Sequence, residues 1–269
     1  MSMDRLRGRG IIVTGATGIA AASARRFAAE GATVVIISRT AASCEALATE
    51  IVEAGGLAQA IPADLTDVPA AQAAVVEAIA TLERVDGLFN VAGGSGRRMG
   101  DGPLHELTPE AFEATMGLNA TTHVTVTAPV LRAMLGQEPD ADGARGAIVN
   151  MGSLLATQPV PELFATHAYA TSKGAVAALT TTAAAYYAPR GIRLNLVAPA
   201  LTISRMSERA QADPATRDFS RRKQPLTDGF IAAEDVAAAA AYLLSPEARG
   251  VTGQTIAIDG GWSVLPIGE

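Results

Sequence analysis

Gly10-Ile11-Ile12-Val13-Thr14-Gly15-Ala16-Thr17-Gly18-Ile19-Ala20-Ala21-Ala22 is an apolar run that meets two glycines and passes at once into an alanine-rich segment. A short Ile/Val run bounded by glycine reads as a buried strand, and an alanine-rich segment reads as a helix. Glycines at such a turn let the backbone approach a pyrophosphate. The amides and positive dipole end of the helix that follows attract its charge. A plain strand-to-helix turn accounts for the same letters, so the surrounding pattern must decide.

That pattern repeats along the chain. Val/Ile/Leu-rich runs at 10–14, 33–38, 58–62, 87–92, 146–151, 193–198 and 254–258 alternate with helical segments at 19–30, 43–54, 69–81, 109–135, 167–188 and 234–244. The strands show little polar alternation, as expected when helices cover both sheet faces. Thr108-Pro109 and Thr66-Asp67 are helix start signals; Gly31 and Gly55-Gly56 are stop signals. The sequence therefore predicts an α/β, doubly wound (Rossmann-like), mostly parallel seven-stranded sheet with helices on both faces. It predicts one domain over 1–269, with substrate loops near 94–104, 154–167 and 200–229. The last of these reads as the longest irregular stretch. Right-handed crossovers put all strand C-termini, and hence the ligand, on one edge.

Composition agrees. In 269 residues, 49% are hydrophobic and 18% charged, enough apolar content for a large core. A net charge of -6 argues against nucleic acid as a partner. The single cysteine, Cys44, forms no internal disulfide, and three dispersed histidines make a metal site unexpected. No apolar run approaches the roughly 18 residues of a membrane span, and no signal peptide is visible. A cytoplasmic protein is expected.

Only two of the 21 basic residues are lysines, Lys173 and Lys223, and there are four tyrosines. A chance Tyr-x-x-x-Lys then has odds of roughly 3%, so Tyr169 with Lys173 is informative. Four apart on a helix, they share a face. An ammonium beside a phenol stabilises the phenolate and brings a pKa near 10 toward working pH. It can also hold ribose hydroxyls. Ser153, just past a buried strand, can hold a substrate oxygen. Asn119, in mid-helix where asparagine is unfavourable, can anchor a water near Lys173. Small residues in Asn90-Val91-Ala92-Gly93 let a nucleotide lie against the backbone.

At the end of the second strand stands Ser38-Arg39, where an acid would bind the two ribose hydroxyls of NAD(H). Arg39 can instead pair with a 2′-phosphate, which favours NADP(H). Asp64 reads either as an acceptor for an adenine amino group or as a helix cap.

In this order and spacing the residues resemble the single-domain branch of the short-chain dehydrogenase/reductase family, from about Arg9 to Trp262. The matching elements are Thr14-Gly15 with Gly18, Asp64, Asn90-x-Ala92-Gly93, Asn119, Ser153, Tyr169-x-x-x-Lys173, Asn195 with Pro199, Thr252-Gly253-Gln254 and Asp259-Gly260-Gly261. The resemblance implies hydride transfer between a nicotinamide and a carbonyl or alcohol. Tyr169 would be the general acid/base, Lys173 would lower its pKa, Ser153 would position the substrate, and Asn119 would support the proton relay. Gly15, Thr17, Gly18, Ile19, Ser38, Arg39, Asp64, Leu65, Asn90, Ala92, Gly93, Tyr169, Lys173, Pro199 and Thr202 would contact the cofactor. A homotetramer or homodimer is also implied, and the Ala/Thr-rich segment 175–187 suits a subunit contact. The chain departs from the family pattern in four places. The glycine loop is one residue short and ends on Ala20. Val91 replaces an asparagine, and Ala200 stands where glycine commonly follows Pro199. Ser153 and Tyr169 are 16 apart, further than usual.

The stretch 202–223 carries a net charge of +3, and Arg97 and Arg98 lie in an earlier loop. The expected partner is a small-molecule substrate, with an anionic group set against a solvated lid as the competing explanation. His167 is either a substrate contact or a surface residue at a helix start. Two further readings stand beside the main one: an NAD-dependent alcohol dehydrogenase, and a nucleotide-binding regulatory protein that has lost turnover.

Overall fold

A computed structural model describes residues 4–266. The strands are β1 (Gly10–Thr14), β2 (Thr33–Ser38), β3 (Leu57–Pro62), β4 (Gly87–Asn90), β5 (Gly146–Met151), β6 (Ile192–Pro199) and β7 (Thr255–Ile258). They form one parallel sheet in the order β3-β2-β1-β4-β5-β6-β7. The order reverses between β1 and β4, which opens a crevice at their C-terminal ends.

The helices are α1 (Ile19–Ala29), α2 (Ala41–Glu53), α3 (Val68–Thr81), α4 (Pro109–Met116), α5 (Thr122–Gly136), α6 (His167–Tyr187), α7 (Glu208–Ala212), α8 (Pro214–Lys223) and α9 (Ala233–Leu244). Strand alternation divides the core. Ile11, Val13, Ile36, Phe89 and Val149 pack toward α1, α2 and α9, while Ile12, Ile37, Leu88 and Ile148 pack toward α3, α5 and α6. Of the five interior strands, β1, β4, β5 and β6 are almost wholly buried and β2 is buried over its middle, so their apolar runs lack alternation; the edge strands β3 and β7 alternate.

Three expectations need correction. Strand β4 stops at Asn90, not at 92, because the amides of Val91 and Ala92 donate to Thr14 Oγ1 (2.8 and 3.0 Å) instead of to a neighbouring strand. The helix expected over 109–135 is interrupted by a π-helical turn, Gly117–Thr121, with Asn119 at its centre. The stretch 200–229 is not irregular. It contains α7 and α8, the latter capped by Asp213, whose carboxylate accepts from the Thr216 amide at 3.0 Å.

Candidate active site

A cleft of about 570 Å³ lies at the C-terminal edge of β1, β4, β5 and β6. Its floor is the turn after β1. Gly15 (φ 101°) and Gly18 (φ 55°, ψ -127°) hold backbone conformations that side chains disfavour. Helix α1 starts directly after Gly18, and no side chain caps its N-terminus. Its first amides therefore face the cleft without a competing acceptor. The turn keeps these features although it is one residue short.

Thr14 locks the switch point. Its hydroxyl accepts the two β4-exit amides and donates to Asn90 Oδ1 at 3.1 Å. Asn90 itself lies one layer below. It is buried, its amide donates to the His123 carbonyl and Thr127 Oγ1, and it does not line the cleft. Val91, Ala92 and Gly93 do line it. A Cβ on Gly93 would sit 2.5 Å from Asn119 Oδ1 and 3.6 Å from Lys173 Nζ, so only glycine lets the chain pass these groups.

Tyr169, Lys173, Ser153 and Asn119 all line this cleft. Lys173 is 2% exposed; its ammonium donates to the Met151 carbonyl at 2.9 Å and lies 5.8 Å from the centre of the Tyr169 ring. Burial pushes the Lys173 ammonium down to about 8. Burial also pushes the Tyr169 phenol up, against a downward pull from the Ser153 hydroxyl. In the protein alone the phenol thus stands above its usual value, not below it as the ammonium beside it led one to expect. Ser153 stands two residues past the end of β5 and caps the turn that follows, its Oγ accepting from the Leu155 amide.

Asn119 is buried and bonds three backbone groups. Its Oδ1 accepts from the Gly94 amide (3.0 Å), and its Nδ2 donates to the carbonyls of Gly94 (2.9 Å) and Thr115 (3.0 Å). The side chain clamps the loop after β4. The π turn around it is a local distortion of a kind that clusters at functional sites.

The sequence reading did not find Asp101. This buried carboxylate lies on the loop after β4, yet it accepts from the amides of Ala168 and Tyr169, both at 2.9 Å. Thr166, the residue before α6, offers no side-chain cap, so Asp101 caps the helix that carries Tyr169 and Lys173. The pairing spans 67 and 68 residues, and no local motif announces it.

The remaining candidates divide. Gly15, Thr17, Gly18, Ile19, Ala92, Gly93, Pro199 and Thr202 line the cleft, as do Leu154, Leu155, Phe164 and Met206 on the substrate side. Ser38, Arg39, Asp64 and Leu65 stand off it, at the ends of β2 and β3. Arg39 is exposed and lies 3.9 Å from Asp64. Asp64 is not the cap of α3; that cap is Asp67, which accepts from Ala70. The Asp64 carboxylate instead accepts from the amide and hydroxyl of Thr66, and these bonds hold it below the usual carboxylate range. His167 is exposed and bonds the Gly102 carbonyl at 2.9 Å, outside the cleft lining. The segment between Ser153 and Tyr169 folds with Val160, Leu163 and Phe164 against Trp262 and Phe219, making a small apolar wall.

The arrangement fits a dinucleotide: a glycine turn with uncapped helix amides at one end, an ammonium and a phenol at the other. Among the described residues no group of three or more His, Cys, Asp or Glu side chains is placed to hold a metal ion. Nor is any helix long and apolar enough to cross a membrane.

Comparison with known proteins agrees with this geometry. A family model described as enoyl-(acyl carrier protein) reductase matches residues 13–263. The chain is 36% identical over 269 residues to 3beta-hydroxysteroid dehydrogenase 1 of Eggerthella lenta, covering 98% of this chain and 97% of that one. It is 37% identical over 261 residues to a galactitol 2-dehydrogenase (L-tagatose-forming) of Cereibacter sphaeroides, covering 97% of each. Among solved structures, a short-chain dehydrogenase from Burkholderia cenocepacia in complex with NADP superposes with a TM-score of 0.84 at 34% identity, over 97% of this chain and 100% of that one.

Proposed function

The chain belongs to the short-chain dehydrogenase/reductase family, an oxidoreductase family, and from that premise we propose that it transfers a hydride between NADP(H) and a small carbonyl/alcohol pair. The observation that carries this reading is the meeting of Tyr169, Lys173 and Ser153 in the same cleft as the glycine turn.

The nicotinamide, when bound, supplies or accepts the hydride. Tyr169 gives its phenolic proton to the carbonyl oxygen in reduction and takes the hydroxyl proton in oxidation. Ser153 holds that oxygen by a hydrogen bond. Lys173 holds ribose hydroxyls, and its charge, brought close to the phenol in a dry site, favours the phenolate during proton loss. Asn119 keeps the loop after β4 in place beside Lys173.

Arg39 supports NADP(H), since its guanidinium is exposed at the end of β2, where a 2′-phosphate can reach it. The Asp64 carboxylate 3.9 Å away partly offsets that charge, which favours NAD(H) as the second reading. We place the protein in the cytoplasm, as a homodimer or homotetramer built on the small exposed residues of α6. Its substrate is a small molecule with an anionic group. Fluorescence titration of NADPH and NADH against the wild type and Arg39→Ala tests the cofactor. NADPH should bind more tightly, and the variant should weaken NADPH by about ten-fold or more while sparing NADH. Tighter NADH binding would support the second reading. Binding of neither would overturn both.

A further inference from the structure

We propose that the end of the cleft between Arg97 and Arg209 is a subsite for one anionic group of the substrate, a carboxylate, sulfonate or phosphate held away from the reacting carbonyl. The proposal rests on the reading of this cleft as the substrate site and names what that site selects.

Arg97 follows the β4 exit, three residues beyond the Gly94 that Asn119 clamps and four before the Asp101 that caps α6. It therefore sits near the Tyr169 end of the cleft, and away from Ser38-Arg39. Its guanidinium Nη2 is buried and has no hydrogen-bond partner. A buried donor of a charged group without an acceptor is costly, and the part of Arg97 that lines the cleft is where an anion can reach the guanidinium and offset that cost. Asp101 attracts Arg97, but its two oxygens accept from the α6 amides and no hydrogen bond or ion pair joins it to Arg97.

The other side of the gap carries a second cation, next to Glu208 in the lining. Arg209 enters from α7, lines the same cleft, and bears on Arg97 with like charge. Together with burial, this repulsion lowers the Arg97 pKa. Two cations from separate elements, one of them half-buried, form the arrangement that an anion between them would relieve. Arg97 contributes a planar fork suited to two oxygens of one group. The loop on which Arg97 stands is tied through Asp101 to the backbone of Tyr169, so a group bound at Arg97 has a fixed offset from the phenol.

Calorimetric titration with levulinate and 6-oxoheptanoate, each beside its methyl ester, tests this on the wild type in the presence of NADP+. The acids should bind about ten-fold more tightly than their esters. Arg97→Ala should erase that preference, Arg209→Ala should reduce it, and Arg97→Lys should keep part of it. Arg97→Gln keeps the result readable should Arg97→Ala not fold. Equal binding of acid and ester to the wild type, including no measurable binding of either, overturns the subsite, as does a preference that survives Arg97→Ala. Acid preference without any NADPH-dependent turnover would defeat the redox reading and leave the subsite standing.

Discussion

Replacing Asp101 by alanine removes two charge-assisted acceptors from the start of α6. The bonds measure 2.9 Å each, Asp101 is 6% exposed, and Ala168 is fully buried, so water cannot take over both roles. A hydrogen bond to a charged group contributes about 1.5–3 kcal/mol, and loss of a helix cap costs about 0.5–2 kcal/mol. The buried carboxylate carries a desolvation cost that returns when it is removed. The net expectation for Asp101→Ala is a loss of about 2–4 kcal/mol in urea unfolding. Asp101→Asn keeps one acceptor and should lose about half as much. Turnover should fall further than stability alone requires, because an ångström-scale shift of Tyr169 can cost on the order of a hundred-fold. Such a loss would appear mainly in kcat, with a smaller rise in KM for the cofactor because Lys173 stands on the same helix. Unfolding of Asp101→Ala within about 0.5 kcal/mol of wild type, with turnover within about two-fold, would refute the view that this carboxylate holds the helix.

Lys173→Met should uncouple stability from activity. The folded pKa of about 8 lies below the ordinary 10.5, so the unfolded chain holds the proton more tightly. Stability rises as pH climbs from about 8 through 10.5, and below that window the buried ammonium is a cost of up to about 3 kcal/mol. At pH 7 the variant should melt a few degrees higher and show no turnover; a lower Tm would contradict this. His123 behaves in the opposite pH range. Burial, then the charge of Lys173, pushes its ring down to about 3, so the folded protein keeps it neutral while the unfolded chain protonates near 6.5. Stability should fall by up to about 1.4 kcal/mol per pH unit between those values, and His123→Phe should flatten that slope in urea midpoints measured from pH 6.5 to 4. Parallel pH curves for the two proteins would exclude it.

The sheet was legible because its central strands are buried on both faces and therefore apolar throughout, and because glycine and proline mark the element ends. The meeting of Tyr169, Lys173, Ser153 and Asn119 was legible because a parallel sheet sends every strand C-terminus to one edge. The lid was not. Asp213-Pro214 is a start signal of the same kind as Thr108-Pro109, but the helix it begins is polar, with Phe219 as its apolar anchor against Trp262. Helix periodicity needs more than one such anchor to show. Asp101 was hidden for another reason: its partners are backbone amides, which carry no sequence signature. Asn119 was found for its awkward place in a helix, yet its role as a clamp on Gly94 depends on a π turn that no propensity encodes.

Tyr169 is the group that moves the proton in the proposed reaction. The deciding measurement is single-turnover oxidation of NADPH by an accepted carbonyl substrate, comparing wild type with Tyr169→Phe at equal cofactor occupancy. The variant should bind NADPH as the wild type does and lose turnover by about 10²–10⁴-fold, the usual contribution of a positioned acid/base. A variant that binds NADPH normally and keeps a tenth or more of the wild-type rate, roughly 1.4 kcal/mol or less in barrier, would contradict it.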